Sequence, residues 1–272
     1  MSGHDLTFTT SDAVRLRYDD EGEGRPVVLV HGYTGSRQGW SLQRRPLLDA
    51  GFRVVALDLR GHGSSDAPDH GQRMSRLGTD LRELMDHLGL DDACVVGHSM
   101  GASVVWAMLS VHGLRGITAL VTIDQSPRIV NDETWSYGVR KVAWDNLWES
   151  VHFTFPWGEP QLEPAPPAHV AAAVGSDLGS FMTFDHARVR RLFLDHFAAD
   201  WTDVLPRLDV PVWVTTGGLS PFYDLEGMQW LASAMPRAEL TVFEQSGHCP
   251  HWNESDAFNS GLLDFLAGPA AR

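Results

Sequence analysis

Six short apolar runs, most of them rich in valine, limit what this chain can fold into more than any other feature. They are Val27 to Val30, Val54 to Leu57, Ala93 to Val96, Ile117 to Ile123, Val212 to Val214 and Leu240 to Phe243. A strand with one wet face alternates apolar and polar residues, whereas a continuous apolar run belongs to a strand covered on both faces. Helical patterns lie between the runs. In Thr79 to Leu88, for example, Leu81, Leu84, Met85 and Leu88 recur at three and four residues. Strand and helix in alternation predict an α/β fold with a mostly parallel sheet and right-handed crossovers. Leu6 to Thr9 and Val14 to Tyr18 predict an opening hairpin around Ser11-Asp12. No internal repeat is present.

One stretch breaks the rhythm. From Pro127 to about Leu208 there is no strand signal, but there are helical patterns and a proline-rich run from Pro156 to Pro167. The expected division is a core of residues 1–127 and 209–272 with a helical lid inserted over 128–208. Trp135, Val139, Val142 and Val151 fit one amphipathic helix capped by Asn131 or Asp132. Val189, Leu192, Phe193 and Phe197 fit another, entered at Asp185. The lid carries Trp135, Trp144, Trp148, Trp157 and Trp201, half of the ten tryptophans. These aromatics either glue the lid to the core or line a substrate cleft, and both can hold at once. Trp135 and Trp148 are the candidates for substrate contact.

Charge and composition exclude several classes. With 21 basic against 35 acidic residues the net charge is −14, which argues against nucleic acid and anionic membrane surfaces as partners. No run of about 18 apolar residues could span a membrane, and Met1 to Asp5 shows no secretion signal. Cys94 falls in a core strand and Cys249 in a late loop, so two free thiols in a reducing cytoplasm are expected. Oligomeric state leaves no signature.

The chemistry gathers at Gly97-His98-Ser99-Met100-Gly101. Gly-x-Ser-x-Gly between a buried strand (Ala93 to Val96) and a helix (Ala102 to Leu109) is a nucleophile elbow: a strained turn that lifts the serine hydroxyl above the sheet edge. A side chain at 97 or 101 would collide with the elbow's neighbours. Ser99 is therefore the candidate nucleophile. A base is expected in the loop after the last strand, where Ser246-Gly247-His248-Cys249-Pro250-His251-Trp252 stands. His248, freed by Gly247, is the candidate, with His251 the competitor. An oxyanion hole needs two backbone donors. Met100 N–H, just after the nucleophile, is one. Tyr33 N–H, in the loop His31-Gly32-Tyr33-Thr34-Gly35-Ser36, is the other. The side chains of Tyr33 and His98 are further candidates for substrate contact.

His31-Gly32, Asp58-Leu59-Arg60-Gly61-His62-Gly63-Ser64-Ser65, Gly97 to Gly101 and Gly247-His248 come in an order and spacing that resembles the α/β-hydrolase superfamily. The resemblance covers nearly the whole chain outside the lid. It implies an eight-stranded, mostly parallel sheet with strand two antiparallel, and a cap inserted after strand six. It also implies that Arg60 and His62 brace the elbow region. Most relatives place the triad aspartate just after strand seven. Here that segment reads Thr216-Gly217-Gly218-Leu219-Ser220-Pro221-Phe222-Tyr223, and the aspartate's slot holds Ser220.

The best substitute is Asp124, at the end of strand six in Asp124-Gln125-Ser126-Pro127; Asp224 and Glu226 are the alternatives. The pairing of Asp-x-Ser-Pro with Gly-Gly-x-Ser-Pro resembles a branch of small esterases that moved their acid. What the resemblance implies is hydrolysis of a small apolar or aromatic carboxylic ester through an acyl-enzyme, by Ser99, His248 and Asp124, with no metal or organic cofactor. Lactone, thioester or carbon–carbon bond hydrolysis, and cofactor-free perhydrolysis, use the same three residues. A ligand receptor on a hydrolase frame is the non-enzymatic alternative. Haloalkane dehalogenases and epoxide hydrolases attack with a carboxylate, so a serine at 99 excludes both.

Overall fold

The computed structural model describes residues 3–151, 168–177, 184–268 and 270. The expectations for Pro156 to Pro167 and for Trp157 lie outside those residues. Eight strands form one sheet: β1 (Gly3–Thr9), β2 (Arg15–Glu21), β3 (Pro26–Val30), β4 (Arg53–Leu57), β5 (Ala93–His98), β6 (Ile117–Ile123), β7 (Val212–Gly217) and β8 (Ala238–Phe243), in the order β1-β2-β4-β3-β5-β6-β7-β8. β2 is antiparallel to both of its neighbours, and every pairing from β4 to β8 is parallel. This is the α/β-hydrolase fold expected from the sequence.

The valine-rich strands are buried on both sides because their alternate residues enter two separate cores. Val28 and Val30 of β3 join the core beneath α2 (Met74–His87) and α3 (Met100–His112). Val27 and Leu29 join Leu47 of α1 (Ser41–Asp49) and Phe258 and Leu262 of the C-terminal helix Ser255–Ala267. No helix among the described residues is long and apolar enough to cross a membrane. No disulfide joins Cys94 and Cys249, which are both buried.

Between β6 and β7 the described residues hold helices and isolated bridges. The helices are α4 (Leu147–Val151), α5 (Ala168–Val174) and α6 (Arg190–Ala198). The second predicted helix of the insert is present: Asp185 accepts from Ala187 N–H to cap a short 3₁₀ turn that runs into α6. The first is not. Residues 131–143 form a loop, with only a 3₁₀ turn (Trp144–Asn146) and α4 following. Asn131 is the reason. Its amide donates to the carbonyls of Val139 and Val142 at 2.8 and 2.9 Å and accepts from Gly138 N–H at 2.9 Å. Those backbone groups are thus taken by a side chain rather than by a helical ladder, and Lys141 adopts a positive φ of 64°.

Candidate active site

Three strand ends build the site. At the end of β5, Ser99 has φ 53° and ψ −127°, a conformation that L residues rarely adopt. Its N–H donates to Ile123 carbonyl at 2.9 Å, across to β6. The two elbow glycines are required by close packing. A Cβ on Gly97 would lie 2.6 Å from Ala102 Cα, and one on Gly101 would lie 2.2 Å from Val30 carbonyl. Met100 opens α3, so its N–H belongs to the first turn, where a helix leaves its donors without internal acceptors and its dipole favours negative charge.

The loop after β3 passes directly over Ser99. A Cβ on Gly32 would stand 3.0 Å from both Ser99 Cβ and His98 Nδ1. His31 holds this loop. Its Nε2 accepts from Leu59 N–H at 3.0 Å, so its proton sits on Nδ1, which donates to Gly32 carbonyl at 2.7 Å. Burial pushes the His31 pKa down to about 4, keeping the ring neutral. The Tyr33 side chain turns toward the insert, where it stacks on Phe193 at 4.1 Å and its hydroxyl meets His186 Nδ1 at 3.0 Å. His62 supports the same loop, edge-on to the Tyr33 ring. Arg60 lies further off, bound to Asp80 and Asp12, where it ties α2 to the β1–β2 turn.

Asp124 follows β6, with a positive φ of 46° and only 1% of its surface exposed. Its carboxylate takes three donors. Thr216 Oγ1 donates to Oδ1 at 2.5 Å, Ser220 Oγ donates to Oδ2 at 2.8 Å, and His248 Nδ1 lies 2.6 Å from that same Oδ2. His248 comes from the loop after β8, with its ring against Phe222 and His98. The structure thus puts His248 in contact with Asp124 after β6, and Ser99 at the end of the neighbouring strand β5. Of the alternative carboxylates, Asp224 is 66% exposed and paired with Arg140, and Glu226 meets the Tyr137 hydroxyl at 3.4 Å. His251 is buried under Trp40 and His98, away from Asp124, and burial pushes its pKa down to about 3.

Three of the residues expected to contact substrate have packing partners of their own. His98 is only 8% exposed, and its Nε2–H donates to His248 carbonyl at 3.0 Å. Burial, and then the neighbouring histidines, hold its pKa well below the usual range, so it is a neutral strut between the elbow and the base loop. Trp135 is 7% exposed, set edge-on to Trp230, with its indole N–H donating to Arg128 carbonyl at 3.0 Å. Tyr33 packs against the insert as described. Trp148, on α4, keeps 64% of its surface exposed.

Three groups at the site escaped the sequence reading. Thr216 had a signal in the sheet: Ile123 pairs with Thr215, so 124 and 216 follow side by side. Arg140 reaches across to the loop after β7, donating to Tyr223 carbonyl at 2.8 Å and to Asp224. Asp177 ties the insert to the loop after β3, accepting from Ser36 N–H and Oγ, both at 2.7 Å. Neither Arg140 nor Asp177 carries a local pattern.

Comparison with known proteins agrees with this fold. A family model described as the alpha/beta hydrolase fold matches residues 25–149. A non-heme chloroperoxidase of Kitasatospora aureofaciens is 29% identical over 273 residues, covering 95% of this chain and 98% of its own. A 2-hydroxy-6-oxononadienedioate/2-hydroxy-6-oxononatrienedioate hydrolase of Pseudomonas putida is 28% identical, covering 93% of this chain and 92% of its own. Among solved structures, an esterase from Exiguobacterium antarcticum superposes with a TM-score of 0.85 at 21% identity, over 96% of this chain and 99% of that one.

Proposed function

We propose that this chain, which has the α/β-hydrolase fold, is a serine hydrolase that cleaves small carboxylic esters by two-step acyl transfer. The observation that carries the reading is the 2.6 Å contact of His248 Nδ1 with buried Asp124, on the strand end next to Ser99. With Nδ1 on a carboxylate, the proton is held there and Nε2, across the ring, is the basic nitrogen. In the proposed reaction His248 takes the Ser99 proton as Oγ attacks the carbonyl carbon. The N–H groups of Met100 and Tyr33 hold the oxyanion, and Asp124 stabilises the imidazolium. His248 then returns the proton to the departing alcohol, and a water activated in the same way releases the acid. Each step moves one proton through one imidazole, so these residues carry the reaction without a cofactor.

One likeness supports an ester as the substrate. The structural likeness reaches an esterase, while the relatives in sequence are named as a chloroperoxidase and a hydrolase of oxo-dienedioates. All of that chemistry fits one nucleophile, base and acid on one frame, so the frame alone does not choose the bond. In this reading the segment between β6 and β7 is a cap over the site, and two buried thiols outside any disulfide fit a reducing cytoplasm. A panel of 4-nitrophenyl esters, aryl thioesters and lactones tests it. Turnover is expected with the esters, with a burst of nitrophenol as the acyl-enzyme fills, and its loss in Ser99→Ala. Turnover of lactones or thioesters alone would move the assignment within the superfamily, and ester turnover that survives Ser99→Ala would refute it.

A further inference from the structure

We propose that Ser220 is a positioning residue, which aims the carboxylate of Asp124 at the imidazole of His248. The proposal rests on the reading of Asp124 as the acid. A hydroxyl has one hydrogen to give and two lone pairs to fill. At Ser220 the N–H groups of Phe222 and Tyr223 both point to Oγ at 3.3 Å, so the acceptor side is occupied and the hydrogen is committed to Asp124. The loop that carries Ser220 is itself held from three directions. Ser220 N–H donates to Gly217 carbonyl at 3.1 Å, Leu219 N–H donates to Ser246 carbonyl at 2.9 Å, and Arg140 from the insert donates to Ser220 carbonyl.

Thr216 and Ser220 both bind the carboxylate, but on different oxygens. Thr216 satisfies Oδ1, whereas His248 meets Oδ2. Ser220 shares Oδ2 with His248, so it fixes the direction from which that oxygen meets Nδ1. The carboxylate is buried, so its rotation is defined by these three donors, and two of them meet on Oδ2. A serine that only satisfied a buried group would affect folding. One that aims the acid affects the reactivity of Ser99, and only while an acid is present.

The test is a double-mutant cycle read by the second-order rate at which a fluorophosphonate labels Ser99, together with thermal midpoints. Ser220→Ala should slow labelling by about 10- to 100-fold, the range for a hydrogen bond to a charged group. Ser220→Thr, which keeps the hydroxyl, should restore most of that rate. In an Asp124→Asn background, Ser220→Ala should change the rate by less than about 2-fold, because the two residues act as a unit. Should Ser220→Ala not fold, Ser220→Cys, with its weak donor, takes its place in the cycle. An unchanged rate in Ser220→Ala, or the same fold-loss in both backgrounds, would overturn the positioning role alone. A wild-type rate in Asp124→Asn would instead overturn the acid, and the positioning role with it.

Discussion

Ser220 and His248 meet on one oxygen of Asp124: the serine hydroxyl donates to Oδ2 at 2.8 Å, and the imidazole Nδ1 lies 2.6 Å from the same atom. Two neighbouring strands, β6 and β7, therefore converge on one nitrogen of the base loop. β6 supplies the carboxylate and β7 the hydroxyls around it. The parallel register that pairs Ile123 with Thr215 sets this convergence, since it delivers both strand ends at the same height.

Exchanging the two candidate acids separates them. Asp124→Asn should lower kcat by up to about 10⁴-fold with little loss of folding, as when the orienting aspartate of a triad becomes an amide. Asp224→Asn should leave kcat within a few-fold of wild type, because its exposed carboxylate binds only the exposed flank of Arg140. Ester hydrolysis rates with circular dichroism on both variants check this.

The shared oxygen also predicts a rescue. An aspartate at 220 would extend one bond beyond the Ser220 Oγ, which already stands 2.8 Å from the oxygen that His248 meets. Asp124→Asn/Ser220→Asp should therefore recover about 10-fold or more of the activity lost in Asp124→Asn, a coupling of the size found between residues of one network. Steady-state kinetics of the single and double variants read it directly.

Gly32 tests the oxyanion loop. A methyl there would press on Ser99 Cβ and His98 Nδ1 at 3.0 Å and lift the Tyr33 N–H from its place. Gly32→Ala should lower kcat toward the roughly 10²-fold loss that follows removal of one oxyanion donor, with a smaller change in KM. An unchanged kcat would show that the loop carries no donor used in the reaction.

Buried histidines set the acid limit of stability. Burial pushes the pKa of His31 down to about 4, and those of His62, His196 and His251 down to about 3. In the unfolded chain each titrates near 6.5, so below that pH the unfolded state binds more protons and stability falls as pH falls. Each histidine removes about 1.4 kcal/mol per pH unit in that window. The urea midpoint should hold between pH 8 and 7 and drop steeply from 6.5 to 5. A flat midpoint over that range would mean the rings protonate without leaving their sites.

Much of the sheet was legible because a strand buried on both faces cannot hide its composition: β3 and β5 are wholly buried and read as apolar runs. The elbow was legible because Gly97 and Gly101 face backbone at distances that no Cβ tolerates. Legibility ends where a side chain chooses among distant partners. Trp135 meets Trp230 and His98 meets the His248 carbonyl, partners that lie 95 and 150 residues away in the chain. The run from Trp135 to Val151 has helical spacing, and Asn131 overrides it by taking the carbonyls of Val139 and Val142. Ser220 was visible only as a departure from a family pattern; its bond to a carboxylate 96 residues earlier has no local signature.

The whole reading depends on a single hydroxyl being made nucleophilic by the ring that Asp124 steadies. Peptide mapping after treatment with a fluorophosphonate measures this most directly. One phosphonyl group per chain, located on Ser99 and absent from His248→Ala, is the predicted result. A folded wild-type protein that takes up no label, or takes it at another residue, would contradict it.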